Sequence, residues 1–193
     1  MYGGRRRYKR SAVAALAVRT PTFTETYEAG QITAGSGGLF TGRMADITEI
    51  TDYQALYRSY KVLKMEVIVL PDTNSAAVSV GNAGIGQLIY AVDPSAELTA
   101  PGNAQACLTN NNVRVTNLDK PIRIRFRPVA STTVGILGGG TVGITQKEPW
   151  LSLDDGLPIP NNGVSWWYQN TSAGANNTAH AYVPLPFQCK DPR

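Results

Sequence analysis

Short segments of alternating apolar and polar residues recur along the chain, which is the pattern of β-strands that bury one face. Pro71 and Asp72 end the clearest of these segments, as expected where a strand gives way to a turn. This segment covers residues 62–70, with Leu63, Met65, Val67 and Val69 on one face and Lys64 and Glu66 on the other. The pattern predicts a half-buried strand there.

Further segments share this alternation or are rich in β-branched and aromatic residues, and Gly, Asn and Pro separate them. With residues 62–70, the predicted strands are residues 22–28, 86–92, 113–118, 121–127, 150–153, 164–169 and 178–185. The intervals are too short for helical crossovers, so the strands are expected to be antiparallel. Eight such strands fit a jelly roll of two packed four-stranded sheets, and a sandwich or barrel of another topology fits the pattern nearly as well.

One segment between the first two predicted strands has helical periodicity instead. Its apolar residues recur at steps of three or four, at Ile47, Ile50, Tyr53, Tyr57 and Tyr60. Upstream, Asp46 and Glu49 resemble a capping box, which is a helix start signal. We therefore predict one short helix in an otherwise all-β domain.

Composition agrees with a turn-rich β protein. Apolar residues make up 42% of the 193 residues and charged residues 17%, and the chain contains 19 Gly and 12 Pro, which indicates frequent turns. The two cysteines, Cys107 and Cys189, are too few for a disulfide framework, so free thiols are expected. Because His180 is the single histidine, there is no zinc-type ligand set, and neither a metal site nor a cofactor is predicted.

Positive charge is concentrated in residues 1–20, which we call the basic arm. The remaining residues, 21–193, hold 12 basic and 14 acidic residues and so carry a net charge of −2. The arm contains no acidic residue; its basic residues are Arg5, Arg6, Arg7, Lys9, Arg10 and Arg19, with Tyr2 and Tyr8 interleaved. Such a segment cannot fold alone, and its guanidinium groups and tyrosine rings suit phosphates and unpaired bases. The sequence thus predicts a nucleic-acid-binding arm over residues 1–20 and a β domain over residues 21–193.

The same arm permits other interpretations. Its first cluster, Arg5, Arg6, Arg7, Lys9 and Arg10, also fits a nuclear-localisation signal, which is compatible with nucleic-acid binding. A secretory signal fits less well, because the apolar run at 11–18 is short and alanine-rich and Arg19 follows it directly. Since no apolar stretch is long enough to span a membrane, membrane insertion is not expected.

A second basic feature lies within the predicted strand at 121–127. Alternation places Arg123, Arg125 and Arg127, which we call the arginine row, on the face opposite Ile122, Ile124 and Phe126. Neighbours in the row are about 7 Å apart and repel each other unless an acidic group meets them. Two interpretations stay open: a second phosphate-binding surface, or pairing with Asp or Glu of the same or a neighbouring subunit.

Motifs that suggest catalysis or ligand binding lack the context they need. Residues 138–143 match the GxGxxG fingerprint, but no helix follows, so a surface loop is expected. His180 lies in a predicted strand without the partners of a catalytic triad. Asp154 and Asp155 before Gly156 fit a solvated turn better than a calcium site. The chain is therefore not expected to be an enzyme.

Four segments resemble, in the same order, the coat proteins of circular single-stranded DNA viruses of the circovirus-like group. They are LYRSYKVLKMEVIVLP at 56–71, VTNLDKPIRIRFRP at 115–128, WLSLDDG at 150–156 and TAHAYVPLPFQ at 178–188. The arginine cluster close to Met1 is similar as well. This resemblance selects the jelly roll from the β architectures left open above.

The resemblance implies a virion protein, 60 copies of which close into a small icosahedral T=1 shell around a single-stranded DNA genome held by the basic arm. It also implies assembly in the host nucleus or cytoplasm and a host receptor that the sequence does not identify. One alternative is the coat protein of a small or satellite RNA virus. Another is a jelly-roll carbohydrate-binding module, in which Trp166, Trp167 and Tyr168 would stack on sugars; in a coat protein, Trp150, Trp166 and Trp167 would instead divide between core and subunit interface.

Overall fold

Two antiparallel β-sheets make up most of the molecule. The computed structural model describes residues 20–72, 86–92, 100–110, 112–136, 140–156, 158–159, 161–170 and 177–193. Within these ranges the strands of each sheet pair with antiparallel neighbours.

The first sheet contains the first and last strands side by side. One edge of β12 pairs with β1, and its other edge pairs with β3 and β4, which follow each other along β12 with an interruption at Leu63 and Lys64. The interruption is bridged by the Leu63 N–H, which donates to the Pro186 carbonyl at 3.0 Å. β4 then pairs with β7, and β3 with the short β10. The strand bounds are β1 Thr22–Thr33, β3 Tyr57–Val62, β4 Met65–Pro71, β7 Ile122–Phe126, β10 Leu151–Ser152 and β12 Thr178–Pro192.

The second sheet has the order β2-β11-β5-β6, with a β8–β9 hairpin joined to the start of β11. The bounds are β2 Ser36–Gly42, β5 Gly86–Val92, β6 Val113–Asn117, β8 Val129–Ile136, β9 Gly140–Lys147 and β11 Asn161–Asn170. The chain passes several times between the sheets, and four main strands lie in each, with β3 and β4 counted together. This is the jelly roll that was expected from the sequence.

The core lies between the sheets and is built from strand alternation. Met65, Val67 and Val69 of β4 are fully buried, as predicted for one face of residues 62–70. Phe187 of β12 is also fully buried, with ring centroids 5.7 Å from Phe23 and 5.0 Å from Tyr53. Each such side chain contributes about 1.5–3 kcal/mol through its removal from water. The inward faces are thus fixed by packing, and the outward faces are left for function.

The predicted helix is shorter than the periodicity suggested. A 3₁₀ turn at Met44–Asp46 is followed by α1 at Ile50–Leu56, and Glu49 makes no side-chain cap to it. The extension of the helix to Tyr57 and Tyr60 was wrong, because both residues belong to β3. Tyr60 is fully buried there, opposite Cys189 of β12, so sheet pairing and burial override the helical spacing.

A second helix, α2 at Ala104–Leu108, was not predicted. It begins where the Asn103 side chain accepts a hydrogen bond from the Ala106 N–H at 2.8 Å, and it packs on β5 and β11. Cys107 is the buried residue of this helix, and Cys189 is buried in the first sheet, both as free thiols as expected. Burial raises the pKa of Cys189 to about 11.

β2 and the β8–β9 hairpin were also missed. Gly37 and Gly38 made residues 36–42 unlike a strand, but a Cβ at Gly37 would lie 2.6 Å from the Trp167 ring and one at Gly38 would lie 2.9 Å from the Trp166 ring. The glycines therefore let β2 approach the tryptophans of β11. The prediction of a loop at residues 138–143 was wrong for residues 140–143, which lie in β9. Residues 138 and 139 lie outside the described residues.

Candidate nucleic-acid interface

The arginine row has the orientation that alternation predicted. Ile124 and Phe126 of β7 are buried in the core, whereas Arg123, Arg125 and Arg127 are exposed. β7 is the outermost strand on its side of the first sheet in the described part of the chain. The row therefore lies on the outward face of the sheet, next to its edge.

Glu66 of β4 pairs with two members of the row. Its Oε1 accepts from Arg123 Nη1 at 2.9 Å and its Oε2 from Arg125 Nε at 3.1 Å. The register explains both contacts, because Glu66 lies directly opposite Arg125 and diagonally across from Arg123. The predicted ion pairing is thus made within the subunit, by an acidic residue of the neighbouring strand.

These ion pairs fix the charge of Glu66. Burial alone would raise the pKa of Glu66, but the hydrogen bonds and charges of Arg125 and Arg123 outweigh it, so the pKa lies below its usual value. The arginine side chains remain 60% and 66% exposed while the Glu66 side chain is 12% exposed. The guanidinium groups therefore remain accessible to a ligand even though they are paired.

One carboxylate does not neutralise three arginines, so the row and Glu66 together carry a charge of +2 at neutral pH. Arg127 has no ion pair within the described residues. Lys64 is also exposed. It lies beside Arg127, because the two residues follow the Met65–Phe126 pair on the same side, one on each strand. The pairing interpretation and the phosphate-binding interpretation are consequently compatible, since an excess of positive charge remains.

A pocket of about 290 Å³ adjoins the row and contains a fourth arginine. Arg114 of β6 lines it together with Arg123 and Arg125 of β7, and Tyr90 and Asn112 contribute polar groups. β6 and β7 are edge strands of different sheets, so the pocket opens where the two sheets meet at one side of the sandwich. Three arginines line this concave site, and arginine side chains suit an anion with several oxygens, such as a phosphate.

Arg114 was missed in the sequence analysis. The only local signal was its place between Val113 and Val115 in a predicted strand, which indicates an exposed position but no ligand. Its proximity to the arginine row arises from the turn between β6 and β7, which takes the chain from one sheet to the other. That tertiary placement is not encoded in residue spacing.

The basic arm joins the body at the first sheet. Its predicted residues Arg5, Arg6, Arg7, Tyr8, Lys9, Arg10 and Arg19 lie outside the described residues. Its last residue, Thr20, and Pro21 line a groove beside Cys189 and Lys190, and the Pro21 carbonyl accepts from the Cys189 N–H at 3.2 Å. β1 is separated from β7 by three strand spacings, about 14 Å across the sheet. The end of the arm at Thr20 and Pro21, which we call the arm root, and the arginine row therefore lie at the same sheet.

His180 lies on the outward face of this sheet between two carboxylates. Its Nδ1 is 2.7 Å from Glu28 Oε1 of β1, and its Nε2 is 3.6 Å from Asp72 Oδ1. The hydrogen bond with Glu28 raises the pKa of His180 and the charge of Asp72 adds to the increase, against a smaller effect of burial. Both ring nitrogens face acids, which suits an ion-paired surface histidine rather than a triad base.

The raised pKa of His180 predicts a pH-dependent contribution to stability. The stabilisation is fully present below the unfolded value of about 6.5 and is lost as pH rises through the higher folded pKa. His180→Gln should therefore lower Tm most between about pH 5 and 6.5, with the difference from the native chain shrinking at higher pH. Thermal unfolding across pH 5–9 measures this, and Gln31→Ala, opposite His180 on β1, is the matched control. A difference independent of pH would contradict it.

The other candidate sites of the sequence analysis take structural roles where they are described. Asp154 contacts Arg193 Nη2, and Asp155 N–H donates to Ser152 Oγ at 3.4 Å, as in a turn. No cluster of His, Cys, Asp or Glu suited to a metal ion occurs among the described residues. In the same ranges, every helix is too short or too polar to cross a membrane.

The sugar-stacking platform was wrong. Trp166 and Tyr168 point into the core, 8% and 1% exposed, and Trp166 stacks on Phe40 with ring centroids 5.3 Å apart. Trp167 alternates to the opposite face of β11 and packs beside Gly37. Three aromatic rings on one surface, as a carbohydrate-binding module would need, are therefore not present at these positions.

One family model matches almost the whole chain. A model described as "Circovirus capsid protein" matches residues 2–190 of the chain. A search of curated protein sequences finds no match.

Solved structures share the fold at low sequence identity. A 60-mer of the BFDV capsid protein is 11% identical, with a TM-score of 0.61, over 89% of this chain and 95% of that one. A decamer of the BFDV capsid protein is 13% identical, with a TM-score of 0.57, over 90% of this chain and 100% of that one. A structure of Melon necrotic spot virus gives 11% identity and a TM-score of 0.58, over 90% of this chain and 56% of that one. The similarity therefore extends over the whole jelly roll.

Proposed function

The chain belongs to the circovirus capsid protein family, and from this premise we propose that it closes into an icosahedral shell and packages single-stranded DNA. The match over residues 2–190, which includes nearly all of the basic arm, is the observation that carries the proposal. As a capsid protein, it is a component of the virion.

The shell is proposed to contain 60 copies in a T=1 arrangement. The BFDV capsid protein, which has the same fold, forms a 60-mer and a decamer. A jelly roll is suited to such closure because its strand edges and outward sheet faces are available for repeated contacts between identical subunits.

DNA packaging is proposed to use the basic arm together with the arginine row and Arg114. Arm residues Arg5, Arg6, Arg7, Tyr8, Lys9, Arg10 and Arg19 would contact phosphates and bases on the shell interior. The arm carries only six positive charges, too few to neutralise a genome, and the pocket beside β7 supplies further guanidinium groups near the same sheet. The division into an arm at 1–20 and a capsid domain at 21–193 follows from this assignment.

A DNA genome and assembly in the host nucleus or cytoplasm accord with the family, and the basic cluster at residues 5–10 would favour the nucleus as a localisation signal. An RNA genome is the alternative cargo, and phosphate contacts alone do not distinguish the two. Nuclease digestion of the packaged nucleic acid separates them, since DNase sensitivity after disassembly is expected and RNase sensitivity would support the alternative.

Electron microscopy tests the shell directly. The full chain, expressed alone and viewed in negative stain, is expected to form closed particles of uniform size. A dispersed monomer across all salt and pH conditions would contradict the proposal.

A further inference from the structure

Trp150 is an exposed tryptophan whose ring is flanked by lysines. Trp150 is 37% exposed, and the centroid of its ring lies 4.6 Å from Lys190 Nζ and 5.1 Å from Lys61 Nζ. Cations at these distances interact favourably with an indole face. The two lysines sit on adjacent strands, since Lys61 of β3 is opposite Gln188 of β12. The result is an aromatic surface surrounded by positive charge.

The acidic groups nearby do not neutralise this site. Lys190 is 3.7 Å from Asp191, whereas Lys61 has no ion pair among the described residues. One positive charge is therefore in excess beside the ring. A site of this composition is complementary to a polyanion that also offers flat aromatic groups.

Its position links the two parts of the proposed DNA-binding surface. Lys190 lines the same groove as Thr20 and Pro21 at the arm root. Lys64 lies three residues beyond Lys61, about 10 Å along an extended chain, and next to Arg127 of the arginine row. A strand of nucleic acid that passes from the arm to the row would cross Trp150.

We propose that Trp150 stacks on an unpaired base of the packaged nucleic acid while Lys61 and Lys190 bind the flanking phosphates. This rests on the proposed packaging function and adds to it a preference for single strands. In a duplex both faces of each base are already stacked, so the indole has no free base to receive. As a base takes its place on the ring, the flexible lysine side chains move to phosphate oxygens.

The test compares two ligands with the full-length chain. One is a labelled single-stranded thymine oligonucleotide and the other an abasic oligonucleotide of the same length, with binding followed by fluorescence anisotropy. Trp150→Leu is expected to weaken thymine-oligonucleotide binding roughly 5- to 150-fold, the usual range for one base–aromatic stack, and to leave abasic binding unchanged. Trp150→Phe, the matched control, should keep most of the preference for bases. Lys61→Gln with Lys190→Gln should weaken both ligands equally.

The outcomes separate this proposal from the packaging function. If neither oligonucleotide binds the native chain, packaging by this protein is wrong. If both bind and Trp150→Leu preserves the discrimination between them, the stacking proposal is wrong. Loss of particle assembly in Trp150→Leu without a change in discrimination would place Trp150 at a subunit interface and also overturn it. Particle formation by Trp150→Phe and thermal unfolding of each variant establish that the subunit is folded.

Discussion

Deleting residues 2–10 is expected to preserve the shell and to remove much of its nucleic acid. The deleted segment contains Arg5, Arg6, Arg7, Lys9 and Arg10. Five charges on a single strand correspond to a slope of about −3.5 in log affinity against log salt. Raising the salt from 50 to 200 mM should therefore weaken the contacts of the arm about a hundredfold. The deletion should abolish that part of the slope. The β-sandwich is expected to fold unchanged, because β1 begins only at Thr22.

Two measurements check this expectation. The ratio of absorbance at 260 nm to that at 280 nm in purified particles should fall, and anisotropy titrations of a single-stranded oligonucleotide should become less dependent on salt. A variant with glutamine at the five basic positions is the matched control, because it retains arm length and should behave like the deletion. An unchanged absorbance ratio would refute the role of the arm.

Changing Arg123, Arg125 and Arg127 to glutamine is expected to produce the second-largest effect. Three charges on a single strand correspond to a change of about 2 in the salt slope, and the net charge of the row with Glu66 falls from +2 to −1. The packaged nucleic acid should decrease in proportion. Thermal unfolding accompanies the measurement, because the change also leaves the carboxylate of Glu66 without its two guanidinium partners.

Glu66→Gln provides the reciprocal change. It keeps all three arginines and removes the acid that neutralises part of their charge, so single-strand affinity should increase and the salt slope should steepen by about 0.7. Arg58→Gln removes an exposed arginine of β3 that lies outside the row, and it should leave the slope unchanged. If the triple variant leaves nucleic-acid content and salt slope at native values, the row serves only the ion pairs with Glu66.

The parts of the fold that could be predicted are those in which local pattern and burial agree. In β4, alternating Met65, Val67 and Val69 all enter the core, because a strand with one apolar face can be buried in only one way. The same reasoning oriented the arginine row correctly. Two-residue periodicity was sufficient to predict which residues face the core wherever a strand is covered on one side only.

The elements that could not be predicted depend on distant partners. Gly37 and Gly38 lower the strand propensity of β2, and only the tryptophans of β11, more than 120 residues later, explain why glycine is needed there. Tyr60 continues a helical spacing, yet its burial against β12 makes it a strand residue. In both cases tertiary packing outweighs a weak local preference.

The candidate site was predicted in part for a similar reason. Charge density revealed the basic arm and the arginine row, because clustered like charges stand out in a sequence. Glu66 was visible as an outward residue of 62–70 but not as the partner of Arg123 and Arg125, since strand register is not encoded in either segment alone. Arg114 and Trp150 gained their significance only from neighbours that other strands contribute.

The lowered pKa of Glu66 determines how the charge of the arginine row responds to acid. A carboxylate with an ordinary pKa would begin to lose its charge in mild acid, which would increase the excess of positive charge beside the arginines. Arg123 and Arg125 keep Glu66 ionised to a lower pH than that. If this surface binds nucleic acid as proposed, its net charge, and with it the attraction for phosphates, therefore stays constant until a lower pH than it would with an unpaired glutamate.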